Sequence, residues 1–333
     1  HAERLHEVAK EKEIVYVPCH RSHFDYLLLS YVTWHEKLHL PHVAAGINLN
    51  LPLVGGILRR GGAFFLRRSF RGNRLYAAVF KAYLQEILTR GHSMEYFVEG
   101  GRSRTGRLLE PMGGMLAMTV NAYAANPRRP VVFMPVYFGY EKLIEGTAFV
   151  SEICGAKKQK ETLGALVRSV KALRGYFGKV WVNFGEPIEL EEILDRQSES
   201  WRESSPENGE RPEWLGGVVD ELGTRIMQNI NSAAAVTPIS LLAYALLAMP
   251  KQKIGLDELR RQLQLSLDLL RRFEYSVYVT IPEWTPDEII AHGEKLKAIT
   301  RTSHPMGEVI HMDERTGLPV VTDDKCTACN ACV

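Results

Sequence analysis

Through its first 190 residues the chain alternates short, nearly unbroken apolar runs with helical patterns, and this rhythm constrains the fold more than any other feature. The runs Ile14–Cys19, His42–Gly46, Ala63–Arg67, Met94–Val98, Val131–Tyr137 and Lys179–Phe184 read as strands. Between them Asp25–Lys37, Asn73–Arg90, Met112–Ala125 and Glu161–Leu173 read as helices. Strands that are apolar on both faces need cover on both faces, so the pattern predicts an α/β sheet flanked by helices. Residues 198–212 turn polar and carry Pro206, Gly209 and Pro212, as a linker does. Beyond them Leu256, Leu259, Leu263, Leu267 and Leu270 recur at steps of three and four, the stripe of an amphipathic helix. The expected organisation is an α/β domain over 1–197, a linker over 198–212, and a smaller all-helical region over 213–303. Residues 304–333 form a tail of separate character.

Charge excludes some partners and suggests others. Over 333 residues the net charge is only +2, so no global excess drives the chain onto nucleic acid. The distribution is uneven. From Arg59 to Arg107 eleven basic residues face three acidic ones, and from Glu189 to Glu221 eleven acidic residues face three basic ones. The basic stretch could hold an anion. Cys19 and Cys154 stand alone, which argues against a disulfide framework. The apolar stretches Ile47–Leu58 and Ile239–Met249 fall short of the roughly 20 residues a spanning helix needs. A chain opening at His1, without an initiator Met, reads as an internal piece of a longer protein.

Three strand ends carry chemistry. The first strand runs into His20-Arg21-Ser22-His23-Phe24-Asp25. A carboxylate on one imidazole nitrogen fixes the tautomer and leaves the other nitrogen as a base. With no G-x-S-x-G elbow in the chain, the nucleophile would be a substrate hydroxyl. His20 and Asp25 could instead merely cap the helix, or join His23 as metal ligands. The third strand ends in Arg67-Arg68, which could hold an anion or form a solvated basic edge. The fourth leads into Glu99-Gly100-Gly101-Arg102-Ser103-Arg104, where paired glycines permit a tight turn and two guanidiniums could fork onto phosphate. Gly101 and Gly106 have nucleotide-loop spacing, but Arg107-Leu108 follow where Lys and Ser or Thr are needed. Ligands of open α/β sheets bind at such strand ends.

The wording of these segments resembles the glycerolipid acyltransferase family. HRSHFDY is similar to its first block, GGAFFLRRSF to the second, FVEGGRSRTGR to the third, and FMPVYFGYE, containing Pro135, to the fourth. Within the family the blocks are most like those of the bacterial membrane-bound branch whose acceptor is glycerol 3-phosphate. The resemblance spans roughly residues 1–300. It implies that His20 takes the proton of the acceptor's sn-1 hydroxyl while Asp25 orients the ring. That hydroxyl would attack an acyl thioester, on acyl carrier protein or coenzyme A, and yield lysophosphatidate. Arg68, Arg102 and Arg104 would hold the phosphate, Glu99 and Gly100 would shape the third block, and Pro135 would serve the acyl-donor side. No metal or cofactor is implied. The membrane phospholipid surface is the implied setting, on the cytoplasmic face of the bacterial inner membrane, bound peripherally or monotopically.

Two rival readings use the same residues: a metal-dependent hydrolase on His20, His23 and Asp25, and a non-catalytic module whose arginines bind anionic lipid. The end of the chain departs from the family. Cys326, Cys329 and Cys332 resemble the opening of a ferredoxin cluster motif without its fourth cysteine, so no stable cluster is expected in one chain.

Overall fold

The structure is a computed structural model and describes residues 2–50, 52, 54–67, 72–146, 149, 152, 175–203, 212–305 and 307–312. Arg68, the expected helix Glu161–Leu173, the residues 204–211 of the linker and the cysteine-rich tail lie outside them. The chain divides into two compact units. One comprises His1–Ser103, Arg107–Phe138 and Val182–Ala233; the other comprises Arg104–Gly106, Gly139–Trp181 and Ala234–Val333.

The first unit is built on the expected α/β sheet. Its strands are β1 (Glu13–Pro18), β2 (His42–Gly46), β3 (Ala63–Leu66), β4 (Met94–Glu95), β5 (Val131–Tyr140), β6 (Val180–Phe184) and β7 (Ile188–Glu189). They form a seven-stranded sheet in the order β3-β2-β4-β1-β5-β6, with β7 pairing β5. The pairs β1–β4, β1–β5, β2–β3 and β2–β4 are parallel, and β7 runs antiparallel to β5. Every residue of β1 is buried, as a central strand covered on both faces must be.

The helices of this unit are α1 (Ala2–Glu11), α2 (Asp25–His35), α3 (Val54–Arg60), α4 (Arg74–Thr89), α5 (Gly113–Ala125), α6 (Leu190–Gln197) and α7 (Leu215–Ser232). The connections through α2 and α3 step one way along this order and those through α4 and α5 step back, so the right-handed rule for parallel crossovers puts α2 and α3 on one face and α4 and α5 on the other. Asn73 caps α4 by accepting the Tyr76 N–H at 2.9 Å, as a short polar side chain before a helical run does. β4 is shorter than the run Met94–Val98 predicts. Tyr96 N–H still donates to Tyr16 O, after which the chain turns out of the ladder toward Glu99.

The second unit corrects the expectation of an all-helical region. It contains α8 (Pro238–Leu247), α9 (Leu256–Arg272) and α10 (Pro286–Lys295), and also β8 (Lys253–Gly255), β9 (Ile299–His304) and β10 (Gly307–Met312). These strands form an antiparallel sheet in the order β8-β10-β9. β9 is mostly exposed and reads ITRTSH, so it lacks the apolar alternation that betrays a strand. The stripe on α9 is as predicted: Leu256, Leu259, Leu263 and Leu267 are buried, and Leu270 packs partly buried against the same core. Capping boxes at Thr237/Ser240 and Thr285/Glu288, each followed by Pro, start α8 and α10. The units part after Ala233 rather than at residues 198–212, because α7 packs on α5 and α6 within the first unit.

Candidate active site

The first strand delivers its end to the site. β1 stops at Pro18, and seven residues later α2 begins with Asp25, which is wholly buried in the helix's first turn. A single oxygen of that carboxylate, Oδ2, accepts three hydrogen bonds: from Arg21 N–H at 2.6 Å, from Ser22 N–H at 2.9 Å, and from His20 Nδ1 at 2.9 Å. The two backbone bonds wind the connecting turn around the carboxylate. The third fixes the imidazole so that Nδ1 carries the proton and Nε2 is the nitrogen left for a substrate. His20 is only 7% exposed. The arrangement is thus more than a helix cap: α2 begins without a side-chain cap, and Asp25 spends its oxygen on the turn before it.

The fourth strand supplies the other wall. Glu99 Oε1 accepts the His20 backbone N–H at 2.8 Å, and its Oε2 accepts Leu109 N–H at 2.8 Å. Ser103 N–H in turn donates to His20 O at 2.9 Å, and Ser103 Oγ donates to Arg107 O. The first and third blocks are therefore stitched together on both sides of His20. Burial raises the Glu99 carboxyl above its ordinary range, with its two backbone donors opposing that rise. Gly100 has φ +64°, a left-handed conformation that side chains resist, and a Cβ there would stand 2.0 Å from Met112 Sδ.

Aromatic rings set the imidazole's orientation. Phe97 stacks on His20 at 3.9 Å between centroids, and Tyr26 meets the His20 ring edge-on at 5.6 Å. Phe97 lies in the expected strand Met94–Val98, but its role was hidden because an apolar residue in an apolar run looks like core. Cys19 adds no nucleophile: its buried thiol is pushed up to about 11 and accepts Phe138 N–H.

The remaining predicted residues are distributed as follows. Arg102 is half-buried in the turn after Gly101. Arg104 belongs to the second unit, where it pairs with Glu152 and lies over the Phe149 ring at 5.9 Å. Pro135 is buried within β5 in register with Val17, and its carbonyl accepts Gly185 N–H. Arg68 lies outside the described residues. Among the described residues no three His, Cys, Asp or Glu side chains gather as metal ligands, so His23 does not join His20 and Asp25 in such a cluster.

The comparisons with known proteins match two parts of the chain. Residues 149–319 match the family described as glycerol-3-phosphate acyltransferase C-terminal region, and residues 1–139 match the family described as acyltransferase. A protein of Xanthomonas campestris named glycerol-3-phosphate acyltransferase is 50% identical over 319 residues, covering 96% of this chain and 36% of its own length. A protein of the same name from Pseudomonas aeruginosa is 48% identical over 318 residues, covering 96% and 38%. One from Xylella fastidiosa is 49% identical over 314 residues, covering 94% and 36%. The chain thus spans little more than a third of the length of these curated relatives. Among solved structures, 66% of the chain aligns with 67% of a 1-acyl-sn-glycerophosphate acyltransferase from Thermotoga maritima, at 19% identity and a TM-score of 0.34. The buried His20–Asp25 pair thus lies within the stretch matching the acyltransferase family, and by the match over residues 149–319 the chain belongs to the glycerol-3-phosphate acyltransferase family.

Proposed function

We propose that this chain catalyses transfer of an acyl group from a thioester, carried by acyl carrier protein or coenzyme A, to the sn-1 hydroxyl of glycerol 3-phosphate. The observation that carries the reading is the buried Nδ1–Oδ2 bond between His20 and Asp25 at the end of a central parallel strand. His20 Nε2 takes the hydroxyl proton as the oxygen attacks the thioester carbonyl. Asp25 stabilises the resulting imidazolium, which gives its proton to the departing thiolate as the carbon–sulfur bond breaks. The products are lysophosphatidate and a free thiol, with no acyl-enzyme intermediate. Arg102, Arg104 and Arg68 hold the phosphate, and the Glu99–Gly100 turn fixes the third block against His20. Pro135 serves the acyl-donor side.

The site works at a phospholipid surface, on the cytoplasmic face of the bacterial inner membrane. None of the described helices is long and apolar enough to cross a bilayer. α3 supports a peripheral or monotopic contact: it exposes Ile57 at 67% together with Arg59 and Arg60, an apolar residue beside cations that anionic lipid attracts. The test is thiol release with glycerol 3-phosphate, compared with glycerol and with lysophosphatidate as acceptors, in wild type and His20→Ala. Glycerol-3-phosphate-dependent release that falls roughly 10²–10⁴-fold in His20→Ala supports the reading. A fully active His20→Ala refutes it.

A further inference from the structure

The sheet that carries the His20–Asp25 pair also buries a carboxyl group that the proposed reaction does not use. Glu95 sits in β4, between β1 and β2, in register with Tyr16 on one side and Val43 on the other. Side chains in register share a sheet face, so all three point the same way. Tyr96, the next residue, bonds Thr119 of α5, so Glu95 points to the opposite face of the sheet, where the Asp25 charge acts on it. α2 buries Asp25, Leu29 and Thr33. Glu95 is 0% exposed, and neither of its oxygens has a hydrogen-bond partner among the described residues.

Among the described residues no cation pairs with it. The titratable groups that act on it are the Asp25 carboxylate on α2 and the Tyr16 phenol on β1; β2 contributes Val43. An ionised carboxylate in such a place would be desolvated, unpaired and beside a like charge, and both burial and Asp25 push the Glu95 carboxyl well above its ordinary range. A residue wanted only for packing would be apolar at this position. Thr119, which takes the Tyr96 hydroxyl on the other face, shows that this sheet elsewhere gives its polar groups partners.

We propose that Glu95 is a positioning residue that stands as a neutral carboxylic acid under Asp25, so that the two buried carboxyls behind His20 carry one negative charge and not two. Paired carboxyl groups at close quarters hold one proton between them for the same reason. One charge is what the reaction needs. It stabilises the imidazolium enough to take a proton from the hydroxyl, whereas a second charge would hold that proton on His20 and oppose its return to the thiolate. Raising the pH until Glu95 ionises therefore slows turnover. The inference rests on the reading of His20 and Asp25 as the working pair.

The test is infrared spectroscopy and steady-state kinetics on the full chain. At neutral pH the wild type is expected to show the carbonyl stretch of a protonated carboxyl in a dry site, absent from Glu95→Gln. That band should vanish on raising the pH in the same step in which kcat falls, and Glu95→Gln should lack that alkaline fall. In Asp25→Asn the band should vanish at lower pH, because the neighbouring charge is gone. Absence of a Glu95-dependent band at neutral pH overturns the proposal, as do superimposable kcat–pH profiles for wild type and Glu95→Gln. Should Glu95→Gln not fold, Glu95→Met carries the same two readouts. The band is read without turnover, so an active His20→Ala would remove the acyl-transfer reading and leave the band in place.

Discussion

Asp25→Asn is the substitution whose outcome the geometry specifies most closely. Oδ2 of Asp25 receives three N–H groups, from His20, Arg21 and Ser22. An amide NH₂ placed there would face three donors, so the asparagine must turn its carbonyl oxygen into the position. The imidazole then keeps its tautomer, and what is lost is charge alone. For the two backbone bonds the change is from charge-assisted to neutral, about 1 kcal/mol each, or about 2 kcal/mol of folding stability. For the imidazolium formed in the reaction, a unit charge about 4 Å away at an effective dielectric of about 20 contributes about 4 kcal/mol. Allowing for the neutral hydrogen bond that remains, about 2–4 kcal/mol of transition-state stabilisation disappears, or roughly 30- to 1,000-fold in turnover. That is milder than the roughly 10⁴-fold loss seen where an amide nitrogen faces the imidazole and inverts its tautomer. The assay is thiol release at saturating glycerol 3-phosphate, beside direct calorimetry of glycerol 3-phosphate binding, which should stay near wild type. Asp25→Ala should be less stable than Asp25→Asn, since it orphans the Arg21 and Ser22 N–H groups. Full turnover in Asp25→Asn, or stability equal to Asp25→Ala, would refute the reasoning.

Other consequences can be read from single contacts. Gly100→Ala forces a left-handed side chain at a cost of about 1–2 kcal/mol; Met112, 62% exposed, can swing clear, so the expected result in thermal unfolding is a modest loss of stability with a larger loss of turnover. Glu152→Gln removes the carboxylate that holds Arg104; if Arg104 serves the phosphate, the KM for glycerol 3-phosphate should fall about two- to fivefold, while a rise would mean that Glu152 orients the guanidinium. His292→Ala removes the Nε2 hydrogen bond, 2.8 Å long, from the buried Glu141 carboxylate, which keeps only the Lys179 N–H on that oxygen, and should lower stability by about 1–3 kcal/mol in denaturant unfolding. Glu95 gives a pH signature: above about 4.5 the unfolded chain's carboxyl is ionised while the folded one stays neutral, so the unfolded state binds fewer protons and stability falls as pH rises. Glu95→Gln should remove that slope, about 1.36 kcal/mol per pH unit, between 4.5 and the raised folded value.

The α/β sheet was legible because its strands are apolar on both faces, a pattern that few other arrangements satisfy. β1 and β5 are buried almost throughout, and the runs that encode them stand out in the sequence. The second sheet was illegible for the opposite reason. β9 is an edge strand that exposes four of its six residues, and β10, though it buries Ile310 and Met312, is only six residues long, so the pair is held by hairpin pairing more than by a pattern the sequence displays. The boundary between units was misplaced because α7 follows a polar stretch that looks like a linker. Its apolar face, Leu215, Val218, Val219, Leu222, Ile226 and Ile230, is nevertheless buried against the helices that precede it.

At the site, sequence spacing predicts the His20–Asp25 contact, since four intervening residues after a strand end suffice for one turn back onto a helix start. What spacing does not reveal is that the turn is wound about the carboxylate by two main-chain donors. Nor does it reveal that Glu99 spends one oxygen on the His20 N–H and the other on the Leu109 N–H, and so ties two loops together. Carboxylates in this site thus divide by what surrounds them. Asp25 has three donors on one oxygen, the arrangement on which its proposed role toward positive charge rests; Glu99 has a donor on each oxygen and joins two loops; Glu95 has none among the described residues. Residue type alone makes all three look like candidate acids or bases. Their hydrogen bonds separate them, and a sequence shows such bonds only where the donor is another side chain at a fixed spacing, as His20 is for Asp25.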